Sequence, residues 1–234
     1  MAQLVFKPDP PVTLPVQGSD ARFPVSRVFC LGRNYFWSGA DRSLKARPLY
    51  FMKPASSVIE AVGLVPYPAL SNEFCHEVEL VVALGMGGRA IPEAQALDCV
   101  WAYGVGLDLT RRDIQMAAKA AGQPWEAAKA FDGAAPIGAL VPVETGGHYA
   151  AGAIWLAVNG RVRQRADLAD QIWSVPQIIS QISEYIELRP GDLIMTGTPQ
   201  GVDTLEAGDE LTAGIEGVGT IQLTVGARAT TVSD

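Results

Sequence analysis

Cys75-His76-Glu77-Val78-Glu79-Leu80-Val81-Val82-Ala83-Leu84 sets two carboxylates into a run that otherwise has the character of a buried strand. Side chains alternate across a strand, so Glu77 and Glu79 share one face while Val78 and Leu80 take the other. The apolar stretch from Val81 to Leu84 then continues into the core. Two carboxylates about 7 Å apart on a half-buried face repel each other and lose solvation unless a cation lies between them. The plainer alternative is a solvent face, with Glu-x-Glu as the polar side of an amphipathic strand.

A third carboxylate favours the cation. Asp108 ends a second apolar run, Val100-Trp101-Ala102-Tyr103-Gly104-Val105-Gly106-Leu107, and the following Leu109-Thr110-Arg111-Arg112-Asp113 reads as a strand passing into a helix. Glu77, Glu79 and Asp108 at strand ends would make an oxygen-rich, open site suited to Mg²⁺ or Mn²⁺, with Ca²⁺ as a further candidate. Lys53, Arg111, Arg112, Lys119 and Lys129 fall near these residues in sequence, which suits a small anionic substrate.

Composition narrows the classes. A chain of 234 residues can bury a full core and fits one domain, or one with a small appendage, and 48% apolar residues exclude a disordered chain. The net charge of −7 argues against nucleic acid as a partner, since phosphate binding needs clustered Lys and Arg. No apolar stretch approaches the roughly 20 residues that span a bilayer. The start at Met1 lacks a basic segment followed by an apolar signal core, so no membrane partner is expected and the expected compartment is the cytoplasm. Cys30, Cys75 and Cys99 are odd in number and lack metal-type spacing, which predicts buried free thiols rather than disulfides.

Along the chain, residues 1–25 carry Pro8, Pro10, Pro11 and Pro15 and are expected as an extended arm. Short strands are predicted over 27–31, 49–53, 57–59 and 193–196, with a polar loop over 36–48. Helical stretches are predicted over 92–98, 110–121 with Gly122 as the stop, and 175–186 with Pro176 in the first turn. Asn159-Gly160 between two strand-like runs predicts a tight hairpin. The sum is a mixed α/β chain, mostly β.

These motifs, in this order, resemble the fumarylacetoacetate hydrolase family. Leu31-Gly32-Arg33-Asn34-Tyr35, Phe51-Met52-Lys53-Pro54, His76-Glu77-Val78-Glu79-Leu80, Gly106-Leu107-Asp108-Leu109-Thr110-Arg111-Arg112-Asp113, Ala128-Lys129-Ala130-Phe131-Asp132, Ile172-Trp173-Ser174 and Thr196-Gly197-Thr198-Pro199 carry the likeness. Within the family the chain is most similar to the bacterial fumarylpyruvate hydrolase branch. The resemblance implies a mixed β-roll or β-sandwich with a few peripheral helices, a single catalytic domain over 26–234, and a homodimer. It implies Mg²⁺ or Mn²⁺ on Glu77, Glu79 and Asp108. Lys129 takes the position that stabilises an enolate, while Arg33, Lys53, Arg112, Gln115 and Thr198 take substrate-binding positions. The implied reaction is metal-dependent C–C cleavage of an acyl-pyruvate, such as fumarylpyruvate to fumarate and pyruvate, in aromatic catabolism.

One departure bears on chemistry. Where the family carries a water-activating histidine and, three residues later, a glutamate, this chain has Ser38 and Asp41. Serine offers no base near neutral pH, so among the catalytic candidates Lys129, Asp41 and Ser38 it falls to Asp41, or else to a metal-bound hydroxide, to activate water. Loss of general-base help removes about 10²- to 10⁴-fold in rate. Two further readings follow: decarboxylation or tautomerisation of oxaloacetate or another 2-oxo acid, and a weakly active or silent relative that binds metal and oxo acid. His76 is expected to be structural, pointing away from Glu77 and Glu79, and His148 is expected in a surface loop.

Overall fold

The computed structural model describes residues 4–36 and 48–228, which are rich in strand. The predicted polar loop falls mainly at 37–47, so Ser38 and Asp41 lie outside the described residues.

The central sheet places Leu49–Pro54, Arg27–Gly32, Leu193–Met195, Val78–Leu84, Val100–Leu107, Ala135–Ile137 and Val58–Glu60 side by side in that order, with Val141–Pro142 also paired to Val100–Leu107. The second sheet runs Arg161–Asp167, Ala153–Val158, Glu210–Ile215, Gly219–Arg228 and Leu64–Tyr67. Helices are few and peripheral, which is the mixed, mostly β class expected from the sequence. Among the described residues no helix is long and apolar enough to cross a membrane.

Every residue of Val78–Leu84 is buried, because both faces of this strand are covered. Leu80, Val82 and Leu84 pack with Phe29 and Leu31 against Leu156, Leu211 and Leu223 of the second sheet. Val81 and Ala83 face the opposite way, into a second core with Val28, Cys30, Leu193 and Met195. Full burial of one such aliphatic side chain stabilises by about 1.5–3 kcal/mol, more than the ~1 kcal/mol range of strand propensities. Burial therefore fixes the register of this strand. All three cysteines are buried and free, as expected.

The segment read as an extended arm is more ordered than that. Thr13–Val16 and Ser19–Pro24 pair antiparallel as a hairpin, and Leu14, Val16, Phe23 and Val25 close the second core. Pro15 is tolerated although its strand is also bridged to Leu140, because there its carbonyl accepts the Leu140 N–H and its missing N–H is not needed.

The predicted helix at 110–121 begins later. Thr110–Arg111 pairs with Phe74–Cys75, so the helix is Arg112–Ala120, stopped by Gly122 at φ +64°. The predicted helix at 92–98 is a 3₁₀ turn, Glu93–Cys99. Helix Val175–Tyr185 forms with Pro176 in its first turn. The hairpin Ala153–Val158 and Arg161–Asp167 turns on Asn159 and Gly160, both at positive φ, as a type I′ loop requires.

Candidate active site

Strand register assembles the carboxylates. Val78 lies opposite Leu107 and Glu79 opposite Gly106, so the chain beyond each strand end brings Asp108 beside Glu77, where the Asp108 N–H donates to the Glu77 carbonyl at 2.8 Å. One oxygen from each of Glu77, Glu79 and Asp108 can be chosen such that all three lie within 4.8 Å of one another, and all three residues are buried.

Three cations pair with two of these carboxylates, Glu77 and Asp108. Lys129, at the end of the short helix Glu126–Lys129, donates to Glu77 Oε2 at 2.9 Å and to Asp108 Oδ2 at 2.7 Å. Arg112 donates through Nη2 to Glu77 Oε1 at 2.8 Å and through Nη1 to Gln115 Oε1 at 2.7 Å. Lys53 Nζ sits 2.8 Å from Asp108 Oδ1. Burial works against the Lys129 ammonium, yet the charges of Asp108 and Glu77 and their hydrogen bonds together raise its pKa. Burial likewise opposes the Asp108 carboxylate, and the neighbouring Lys129 and Lys53 outweigh it, so its pKa is lowered.

Glu79 is the exception. Among the described residues no side-chain cation pairs with it, and its hydrogen bond is from the Gly197 N–H to Oε2 at 2.7 Å. Burial first, then the charges of Asp108 and Glu77, push its pKa well above the usual carboxylate range. A buried carboxylate facing two others without its own counter-ion is the observation that fits a bound cation. Three hard oxygen donors select a divalent ion of the Mg²⁺ or Mn²⁺ kind. Gly197 is required where it is, since it holds φ +96° and a Cβ there would come 2.7 Å from Asn34 Cβ.

The trio opens into a cavity of about 700 Å³ lined by Glu77, Glu79, Arg112, Gln115, Lys129 and Thr198, with Arg33, Lys119, Phe51 and Trp125 also on its walls. Of the sequence candidates, Arg33, Arg112, Gln115, Lys129 and Thr198 therefore meet there. Lys53 does not line the cavity. It is fully buried behind Asp108, with Nζ donating also to the Lys129 carbonyl, so its place is to fix Asp108 rather than to touch a substrate.

His76 is buried and outside the cavity lining. Its Nδ1 lies 2.9 Å from Gln164 Oε1, which also accepts the Val78 N–H, so Nδ1 carries the hydrogen. The expectation of a structural His76 holds. His148 contacts the Tyr103 hydroxyl at 2.9 Å, also away from the cavity. Gln164 was not anticipated. It is fully buried and donates through Nε2 to Thr198 Oγ1 at 2.8 Å, while Thr198 donates to the Val78 carbonyl at 2.8 Å. Its setting in Arg161-Val162-Arg163-Gln164-Arg165 reads as a solvated strand, so no local signal marks it.

Sheet, carboxylate trio and cationic cavity together define an enzyme that uses a divalent cation on a small anionic substrate. Residues 27–226 match the family described as fumarylacetoacetate (FAA) hydrolase, C-terminal, and the chain belongs to that family. It is 43% identical to mouse mitochondrial oxaloacetate tautomerase FAHD1 over 197 residues, covering 82% of this chain and 87% of that protein. It is 39% identical to a fumarylpyruvate hydrolase of Ralstonia sp over 186 residues, covering 80% of this chain and 96% of the relative. The crystal structure of fumarylpyruvate hydrolase from Pseudomonas aeruginosa in complex with Mn²⁺ and pyruvate superposes with a TM-score of 0.92 at 44% identity, covering 97% of this chain and 100% of that one.

Proposed function

We propose that this chain is a divalent-cation-dependent hydrolase that cleaves a C–C bond of an acyl-pyruvate, converting fumarylpyruvate and water to fumarate and pyruvate. The observation that carries the reading is the meeting of Glu77, Glu79 and Asp108 with Lys129, of which Glu77, Glu79 and Lys129 line a cavity of about 700 Å³. The Mn²⁺ and pyruvate complex of the Pseudomonas relative and the name of the Ralstonia relative support it.

When bound, the cation supplies Lewis-acid polarisation of the 2-oxo group. Lys129 keeps its proton and presents a second positive charge to the oxygen on which negative charge develops as the C–C bond breaks. Arg112, steadied by Gln115, offers its guanidinium edge to the substrate carboxylate. Thr198, held by Gln164, borders the reacting group, and Lys53 keeps Asp108 in place from behind. Water adds to the acyl carbonyl, pyruvate leaves as its enolate, and a proton returns to the enolate carbon. Asp41, at the position of the family's glutamate, is the base we assign to that water, with Ser38 three residues before it in sequence. The active form in this reading is a cytoplasmic homodimer in which residues 26–234 make one catalytic domain.

A second reading, oxaloacetate tautomerisation, is favoured by Ser38 standing at the family's histidine position and by the 43% identity to the mouse tautomerase. Tautomerisation needs no attacking water, but it does need a proton shuttle, for which Lys129 or a water is the candidate. The discriminating experiment is kcat/KM with Mn²⁺ for fumarylpyruvate hydrolysis against ketonisation of enol-oxaloacetate. The hydrolase reading expects fumarylpyruvate to be preferred by about 10-fold or more, an advantage of ~1.4 kcal/mol in barrier. A preference of that size for oxaloacetate would assign the tautomerase instead.

A further inference from the structure

The cavity-lining cations divide into two sets. Arg112 and Lys129 are each committed to carboxylates of the trio. Arg33 and Lys119 also line the cavity, yet among the described residues neither has a carboxylate within ion-pair distance. On the surface the opposite holds for Arg22, Arg27, Arg163 and Arg228, which pair with Glu60, Asp192, Asp203 and Glu206.

Both of these cations are positioned. The Lys119 ammonium lies 4.7 Å from the Trp125 ring centroid, and Trp125 in turn tilts against Phe51 at 6.0 Å. Burial first, then the positive charges of Arg112 and Arg33, lower the Lys119 pKa, while the charge of Glu77 acts in the opposite sense. Arg33 holds φ +62°, a conformation an arginine seldom adopts. The following Asn34 pins the turn, donating to the Trp173 and Thr196 carbonyls and accepting the Trp173 N–H. Backbone strain of this kind persists only where surrounding structure enforces it.

We infer that Arg33 and Lys119, with Trp125 as an apolar wall, form a subsite for a second, distal carboxylate, so that the preferred ligand is a 2-oxo acid with an anionic group at the far end of its chain. The inference rests on the trio taking the 2-oxo-acid head, and it deepens the proposed function by naming what reads the acyl end. Arg112, Lys129 and Lys53 are held by Glu77 and Asp108, whereas among the described residues Arg33 and Lys119 have no carboxylate within ion-pair distance and present positive charge to the cavity. A distal carboxylate neutralises it and places the intervening carbons on Trp125 and Phe51. Oxaloacetate keeps its second carboxylate free once its head is engaged, but carries it one methylene from the 2-oxo carbon, much nearer the head than the terminal carboxylate of fumarylpyruvate.

The test is binding rather than turnover. Mn²⁺-loaded protein is titrated calorimetrically with 2-oxoheptanedioate and with 2-oxoheptanoate, which share head and chain length and differ in the terminal carboxylate. The wild type is expected to bind the dianion about 10-fold or more tightly. Lys119→Gln, and separately Arg33→Asn, which tolerates positive φ, are expected to lose most of that preference and leave 2-oxoheptanoate affinity within about 2-fold. Equal affinity for the two ligands in the wild type, or an undiminished preference in both variants, would overturn the subsite. Failure of the hydrolase reading registers separately, as absence of fumarate release from fumarylpyruvate by the same wild-type preparation.

Discussion

Glu79 is where sequence pattern and site chemistry meet most closely. It is buried, accepts the Gly197 N–H, and has no cationic partner among the described residues, so its charge is available to a bound ion. Glu79→Gln keeps the shape and the acceptor oxygen but removes the charge. Mn²⁺ affinity by calorimetry is expected to fall by about 10-fold or more, and unchanged affinity would remove Glu79 from the site. The glutamates and Asp108 were legible because each interrupts an apolar run. Lys53 was misplaced for a related reason: a lone strand does not say which of its neighbours a long side chain will meet, and here it meets Asp108 from behind. Ser38 can be tested without reference to its placement. If water activation limits hydrolysis, Ser38→His is expected to raise fumarylpyruvate turnover about 10-fold or more. No gain would show that something other than the missing base is limiting.

At the scale of elements, the junction before helix Arg112–Ala120 carries the guanidinium to Glu77. Asp113 holds that junction: its Oδ1 accepts from Ser71 Oγ at 2.6 Å and from the Ile114 N–H, and its Oδ2 accepts from the Asn72 N–H. Burial opposes the charged form, but these hydrogen bonds prevail and lower the Asp113 pKa. A carboxylate whose folded pKa is lowered contributes stability that is present above the ordinary Asp range and is lost as pH falls through the lowered value. The stability difference between wild type and Asp113→Asn, by urea unfolding in chelator, is therefore expected to be largest near pH 6. It should shrink below about pH 4, and a difference independent of pH would contradict the role. Strand runs, the Asn159-Gly160 hairpin and helix Val175–Tyr185 were all visible locally, since period, turn residues and Pro176 act over short range. The late start of Arg112–Ala120 was not, because it depends on Thr110–Arg111 pairing with Phe74–Cys75 more than thirty residues earlier in the chain. Gln164 escaped for the same reason, being buried only once the second sheet packs beside Val78.

For the whole molecule, two sheets and an N-terminal hairpin enclose a strand covered on both faces, and the carboxylate site opens where that coverage ends. The class of fold was readable from the density of short strands and turns. The hairpin was not, since four prolines within fifteen residues locally favour an extended chain, and only the apolar face of the central sheet draws Leu14, Val16, Phe23 and Val25 inward. The central claim is that this enclosure holds a cation-dependent acyl-pyruvate hydrolase. Its most direct measurement is the loss of fumarylpyruvate enol absorbance by purified protein, with Mn²⁺ or Mg²⁺ and with chelator, and with the products identified. The expected result is stoichiometric pyruvate and fumarate that requires the divalent ion and disappears on chelation. Intact fumarylpyruvate in the presence of either ion, or turnover that persists in chelator, would contradict the account.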